Sequence, residues 1–373
     1  MNILSICFKH RQGGYNKKLY QVYKTAAVNG HNVHVLSAEP LPVSHDRIFN
    51  HVLKIPCSAS ENLVFWFLFC LGAIFETHGI SRKIHIDRIV NFGPIYAFLS
   101  IVPVLVKRIP SIVFIRADNM KHSTDRLRNL FFRIVDGLGL KMTEKIIFNS
   151  STLEKAYRGR YRLEPGRCSL VPNHITGCFS MNPEKRVALR MKMGFEDHHL
   201  VLSTSGVFST GKNFDFLIKA MPELRDFHVR LMIIGDEMVV NGEKQRLRQI
   251  AERCGVADVV VFCGWQDRPE KYIRCSDAFV FPSRYEGSPN SLLEALSCKI
   301  PCFGSDIPEI REVLHYDDLV FSIKDNVEFI CMMRMLARDK NFYFKTVQLS
   351  EKRCRHYMFD WHKEIMDKIF CLQ

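Results

Sequence analysis

Along the chain, short uninterrupted apolar runs alternate with stretches whose apolar positions recur every three to four residues. The short runs lack the every-second-residue polarity of a half-exposed strand, so they read as strands buried on both faces. In the first half these predict strands at Asn2–Phe8, Val33–Ser37, Arg88–Asn91, Ser111–Ile115 and Lys145–Asn149. Lys17–Asn29 predicts a helix closed by Gly30. The pattern then restarts, with strands predicted at Leu200–Ser205, Val229–Ile234, Val259–Phe262, Ala278–Phe281 and Pro301–Gly304. Asn213–Met221 and Lys244–Cys254 predict helices between them. Strand–helix alternation gives a parallel sheet covered on both faces. Two such series predict an α/β protein of two doubly wound domains. Pro172, Gly177 and Pro183 break the periodicity, which puts the boundary within Val171–Asn182.

Ligands of open α/β sheets collect outside the carboxyl ends of the strands. With two such domains the expected site is the cleft between them, and the residues just after each strand are the candidates. The length of 373 residues suits two domains, and 47% hydrophobic with 24% charged residues is ordinary for a soluble protein. Collagen, low-complexity disorder and a disulfide miniprotein are excluded. Thirteen cysteines are spread widely with no CxxC pair, so neither a disulfide framework nor a zinc site is expected and a reducing compartment fits. Met1–Ile6 lacks the long apolar core of a signal peptide and reads as a strand. Asn62–Phe75 is uncharged with five aromatics but is too short to span a bilayer. The 18 uncharged residues of Ile89–Val106 are broken by Gly93-Pro94 and Pro103. Both read as buried core, and the first also suits an interfacial position.

Charge changes the picture. The formal net charge is +13; residues 1–173 hold 24 basic and 11 acidic residues, and the remainder 28 of each. The whole imbalance lies in the first half and points to an anionic partner there: nucleic acid, a membrane surface or an anionic substrate.

The most informative stretch is Phe281–Glu294, FPSRYEGSPNSLLE, where a strand runs through a loop into a helix. Ser288 is placed to cap that helix, with Pro289 as its first residue. Gly287 permits close backbone approach. A helix N-terminus after a strand attracts anions through its N–H groups and dipole. Glu286 and Glu294, eight apart, flank that point. Taken alone, the same residues also describe a capped helix with two solvated glutamates.

This segment resembles the Glu-x7-Glu signature of retaining glycosyltransferases of the GT-B fold, in particular family 4. Other elements are similar in the same order: Gly13-Gly14 after the first strand, Phe148-Asn149-Ser150 with Val171-Pro172-Asn173, Gly206 to Lys212-Asn213 with Leu217–Ala220, Ile233–Asp236, Val261–Gly264, Pro282-Ser283, Pro301 with Ser305-Asp306, and Phe359 with Trp361. The resemblance covers nearly the whole chain and is strongest in the second half. It implies an acceptor-side domain at 1–174, a nucleotide-sugar domain at 175–355, and a helix at 356–373 that crosses back to the first domain.

By the same resemblance, Lys212 is the cation for the donor diphosphate, and N–H groups around Ser288, Asn290 and Ser291 hold its other side. Glu294 takes the ribose hydroxyls, and Glu286 and Gly287 lie by the donor sugar. Gly13, Gly14, Gly206 and Gly264 are donor-side backbone positions. The family retains anomeric configuration by same-face substitution, so no enzyme nucleophile is expected. No metal or other cofactor is expected either. Two departures stand out. Val207 occupies the place where the family has a second diphosphate arginine, for which Arg284 or Arg116 is the expected substitute. Gly235-Asp236-Glu237 is an incomplete form of the family's Gly-Asp-Gly. Arg116 and Asp118, just after a predicted strand, would touch donor sugar or acceptor, or form a strand-end ion pair. His10 and His122 are weaker candidates. His198-His199 reads as a solvated turn, and Asn173 and His174 as structural residues at the hinge.

Other readings compete. Gly206–Asn213 nearly matches the P-loop GxxxxGK[ST], but Asn213 replaces the hydroxyl residue that holds magnesium. A P-loop NTPase or kinase is therefore the second reading. A nucleic-acid-binding protein, from the basic first half, is a third, but no motif for it is present. An epimerase or phosphorylase on the same fold is a fourth. The expectation is a retaining transferase that uses a UDP- or GDP-sugar and a glycan or lipid-linked acceptor in cell-surface polysaccharide or lipopolysaccharide synthesis. Its place would be the cytoplasm, peripheral on the inner face of the membrane, with the basic half toward anionic lipid.

Overall fold

The computed structural model describes residues 1–10, 14–55, 63–118, 125–237 and 242–370. The chain divides into two compact units, Met1–Pro172 together with Asp360–Gln373, and Asn173–Phe359.

Unit 1 runs β1 (Asn2–Ile6), α1 (Gly14–Val28), β2 (Asn32–Ser37), β3 (Ile48–Val52), α2 (Leu63–Lys83), β4 (Arg88–Phe92), α3 (Pro94–Leu99), α4 (Ile101–Lys107), β5 (Ser111–Ile115), α5 (Arg126–Met142), β6 (Lys145–Phe148), α6 (Ser151–Tyr161) and β7 (Cys168–Leu170). Its seven strands are all parallel in the order β3-β2-β1-β4-β5-β6-β7. Every residue of β4 and β5 is buried, as unbroken apolar strands covered on both faces require. The uncharged run at 89–106 becomes β4, α3 and α4, with Pro94 at the first turn of α3, where its missing N–H costs nothing. The aromatic run after residue 62 opens α2, which continues to Lys83. That helix is long and apolar enough to cross a membrane by length and composition. Its inward residues Phe69, Ala73 and Ile80 nevertheless form one core with Leu4, Ile6 and Ile89 of the sheet. Gly139 brings α5 against α3: a Cβ there would lie 2.7 Å from the Pro94 carbonyl oxygen and 2.8 Å from the Phe98 nitrogen.

Unit 2 runs α7 (Pro183–Lys192), β8 (Leu200–Ser205), α8 (Phe214–Ala220), β9 (Val229–Ile234), α9 (Glu243–Arg253), β10 (Val260–Phe262), α10 (Pro269–Cys275), β11 (Ala278–Phe281), α11 (Asn290–Ser297), β12 (Cys302–Ser305), α12 (Pro308–Leu314), β13 (Val320–Phe321), α13 (Val327–Arg338) and α14 (Lys340–His356). Six parallel strands lie in the order β10-β9-β8-β11-β12-β13. The order reverses between β8 and β11, the switch point at which doubly wound sheets bind ligands.

The last helix, α15 (Trp361–Phe370), belongs to unit 1 and lies on α1. Trp361, Ile365 and Ile369, spaced four apart on one face, are fully buried. Lys18 sits 4.8 Å over the Trp361 ring, Thr25 Oγ1 lies 2.5 Å from His362 Nδ1, and Arg88 donates to the Ile369 carbonyl.

Three strands escape the hydrophobic pattern. β3 is an edge strand with no buried residue and no alternation, exposed at 49, 50 and 52, while β7 has three residues and β13 two, too few for a period to show.

Candidate functional site

The carboxyl ends of the unit 2 strands are joined into one rim. Gly206 N–H donates to the Ile234 carbonyl at 3.0 Å, Phe208 N–H to Asp236 at 3.0 Å, and Gly235 N–H to Gly264 at 2.9 Å. Gly235 (φ 136°) could carry no side chain, because a Cβ there would fall on the Gly206 carbonyl oxygen. Asp236 is bound by Lys244 at 2.6 Å, and that hydrogen bond holds its carboxyl below the usual carboxylate range. Gly264 (φ 69°), two residues beyond β10, hands the chain to Trp265, which is 48% exposed on this rim.

The loop after β8 is clamped to the loop after β11. Asn213 Nδ2 donates to the Pro282 carbonyl at 3.1 Å and its Oδ1 accepts from Arg284 Nε at 2.9 Å. Arg284 N–H donates to the Gly211 carbonyl at 2.9 Å. Asn213 stands where a P-loop has its metal-binding hydroxyl, and here both ends of its amide tie the two loops together. The clamp sets Arg284, otherwise exposed, beside the Lys212 turn. The Lys212 side chain passes over Gly206, lies 4.9 Å above the Phe281 ring, and binds Glu286 Oε1 through Nζ at 2.7 Å. Lys212 and Glu286 are thus brought together across 74 positions of sequence.

The expected cap of α11 is corrected by one residue. The helix begins at Asn290, Pro289 holds the capping position, and Ser288 makes no capping bond. Ser288 Oγ instead accepts from Asn173 Nδ2 at 2.7 Å, and the same nitrogen donates to Asn290 Oδ1 at 2.5 Å. Asn173 is 1% exposed and fixes the loop, while in the first turn of α11 the Asn290 N–H donates to the Ser288 carbonyl at 2.9 Å and the Leu292 N–H to the Pro289 carbonyl at 3.0 Å, so what the turn offers an anion is the positive end of the helix dipole. Gly287 and Ser291 flank that turn. Glu294 lies in the second turn on its half-exposed side. Lys212, Arg284, Glu286, Gly287, Ser288, Asn290, Ser291 and Glu294 therefore belong to one strand-end cluster of unit 2, with Gly206 and Gly264 on the same rim. The arrangement offers one ammonium, one guanidinium and a helix N-terminus to an anion, and two carboxylates to hydroxyl groups.

The first-half candidates belong to unit 1. Gly14 opens α1 after β1; Gly13 and His122 lie outside the described residues. Arg116 and Asp118 follow β5. Asp118 takes a two-pronged pair from Arg160 of α6, at 2.9 and 2.6 Å, and the Arg116 carbonyl accepts from Asn149 at 3.3 Å. His10 Nδ1 lies 2.8 Å from the Tyr20 hydroxyl. His199 corrects the solvated-turn expectation. It is 6% exposed, and its Nδ1 accepts from the Glu196 N–H at 2.9 Å; only His198 faces solvent. Tyr285, whose ring fills the space beside Gly211, and Trp265 are rim residues that the motif spacing did not single out. A large aromatic directly after a strand-end glycine was the available signal for Trp265.

The site's surroundings have counterparts elsewhere. Residues 12–176 match the model of Glycosyltransferase Family 4, and residues 199–339 that of Glycosyl transferases group 1. EpsF of Bacillus subtilis (strain 168), which carries the name of a glycosyltransferase, is 29% identical over 60% of this chain and 56% of its own. The chain thus spans little more than half the length of that relative. The UDP-Gal:alpha-D-GlcNAc-diphosphoundecaprenol alpha-1,3-galactosyltransferase of Escherichia coli is 22% identical over 73% of this chain and 68% of its own. Among solved structures, HepE of Anabaena in complex with UDP and glucose superposes with a TM-score of 0.77 over 99% of each chain, at 16% identity. The two family models together cover both units, both sheets are of the Rossmann type, and the superposition extends over the full length: the chain belongs to the family 4, group 1 glycosyltransferases and has their GT-B fold.

Proposed function

We propose that this chain moves a sugar, with retention of configuration, from a nucleotide-diphosphate sugar to a glycan or lipid-linked acceptor of a cell-surface polysaccharide. The observation that carries the reading is the cluster at the end of β8 and β11, where Lys212, paired with Glu286, stands beside the α11 N-terminus. In the reaction the bond from the sugar anomeric carbon to the diphosphate oxygen breaks. A bond from that carbon to the acceptor oxygen forms on the same face, and the acceptor proton passes to the departing phosphate. Charge develops on the diphosphate, so fixed positive groups aimed there lower the barrier. Lys212 and the positive end of the α11 dipole fill that role, with Arg284 supplying the charge that Val207 lacks. Glu286 binds sugar hydroxyls and Glu294 the ribose. Arg116 serves on the acceptor side, where Asp118, only 5% exposed and paired to Arg160, holds the strand-end loop. Lysine and helix dipole take the diphosphate charge without a bound metal, so EDTA is expected to leave transfer unchanged. A UDP-sugar is favoured by the UDP and glucose bound in the Anabaena protein, and a lipid-linked acceptor by the name of the Escherichia coli relative. Such an acceptor would be met at the inner face of an anionic membrane, toward which the basic half is directed.

The test is transfer and nucleotide binding with UDP-, GDP-, ADP- and CMP-sugars. Lys212→Ala and Glu294→Ala are expected to lower nucleotide affinity at least tenfold. Unchanged affinity in both variants would refute the assignment of the site.

A further inference from the structure

We propose that the outward face of α5, with the adjoining rims of α4 and α2, seats in the headgroup–acyl boundary of an anionic bilayer. This rests on the membrane-facing reading above and names the surface that carries it.

A helix on the surface of a globular unit is normally polar on its outer side. α5 is apolar on both. Val135, Gly139 and Leu140 are buried against the unit. On the opposite side Leu127, Leu130, Phe131, Ile134 and Leu138 are between 45% and 81% exposed. Their spacing of three, one, three and four puts them on one narrow stripe. Arg126 and Arg133 border the stripe on one side, Arg128 on the other, and Lys141 ends it. The acid of this helix, Asp136, is buried on the inner side.

The stripe continues onto neighbours. α4 touches both α5 and α2, and exposes Leu105 and Val106 just before Lys107 and Arg108. α2 exposes Phe67, Leu71 and Phe75 four positions apart, and ends in Arg82-Lys83. An apolar stripe with cationic borders is the form of an interfacial helix: the apolar side chains enter the acyl boundary while arginine and lysine reach the phosphates. A second copy of the chain is the poorer occupant, because a two-fold interface would set these cations against each other. The unit holds 26 basic against 14 acidic residues, which opposes self-association and favours anionic lipid.

The experiment is flotation of the full chain, without donor, on phosphatidylcholine vesicles and on vesicles that also contain phosphatidylglycerol. The wild type is expected to bind the anionic vesicles and to be released by salt. Leu130→Glu/Phe131→Glu/Ile134→Glu is expected to lower that binding at least tenfold. Arg126→Gln, Arg128→Gln and Arg133→Gln should each lower it by about fivefold. All of these variants are expected to keep the wild-type melting temperature and affinity for UDP, while Lys212→Ala binds vesicles as wild type does. The proposal falls if the triple glutamate variant floats as well as wild type, or if neutral and anionic vesicles bind equally. It falls also if bound protein resists both salt and alkaline carbonate, which would make α2 a span. Absence of vesicle binding, with a dimer that the triple variant dissociates in sedimentation velocity, would make a second copy the occupant. Failure of the wild type to bind any nucleotide would overturn the donor reading and leave the vesicle result standing.

Discussion

Lys212 and Glu286 hold each other at 2.7 Å, although the family resemblance assigns them to different parts of the donor. Each is the other's counter-ion in the structure. On the function proposed above, a diphosphate arriving at Lys212 would release the carboxylate toward the sugar. Lys212→Ala should lower stability by about 1–3 kcal/mol, because a carboxylate only 9% exposed loses its cation. Adding Glu286→Gln should restore the melting temperature and leave nucleotide affinity low. A double variant that melts as low as the single would show that the broken pair is not the cause. Both residues were legible in the sequence as motif members. Their pairing was not, since only the adjacency of β8 and β11 creates it. Asp136 was silent in the sequence for the same reason. Burial raises its carboxyl to about 7, partly offset by the hydrogen bond from Tyr161 at 3.5 Å. The folded chain therefore holds a proton that the unfolded chain releases near pH 4. Stability from this group is full below that pH and is lost as pH rises through about 7. Asp136→Asn should flatten denaturant-midpoint profiles between pH 4 and 8 and stabilise the chain at pH 8. A wild-type slope retained in the variant would exclude Asp136 as its source.

Elements followed the hydrophobic pattern wherever they were long and buried. β5, β8, β9 and β11 have the predicted ends, since uninterrupted burial leaves a clean apolar run. What eluded the pattern was short or depended on a partner. β7 and β13 are paired to longer neighbours that hold them extended. The start of α11 shifted because Asn173, 115 positions away, takes Ser288. Local capping chemistry lost there to a buried amide that serves two acceptors at once. Asn173→Ala leaves Ser288 and Asn290 without that donor and is expected to cost about 1–3 kcal/mol. It should also weaken nucleotide binding, because the first turn of α11 loses its support. Chemical denaturation and nucleotide titration measure the two effects; unchanged values in both would remove Asn173 from the site's foundation. The outward stripe of α5 was equally hidden. Only the structure tells which of its apolar residues face inward.

For the whole molecule, the +13 charge lay wholly in the first half of the sequence and the strongest motifs in the second, and the two sheets follow that division. The path of the chain is the less obvious part. Unit 1 is completed by α15, whose Trp361 is 1% exposed against α1. Trp361→Ala should cost about 3–5 kcal/mol, read as an earlier denaturation midpoint, with a loss well below 1 kcal/mol counting against the packing described. The discontinuity also sets a timetable. During synthesis the first 172 residues leave the ribosome, yet the apolar groove on α1 awaits a helix made only after all of unit 2. At ribosomal speed that interval lasts roughly ten to forty seconds. Throughout it the place of Trp361, Ile365 and Ile369 on unit 1 stays uncovered, so its core closes only when the chain returns with α15.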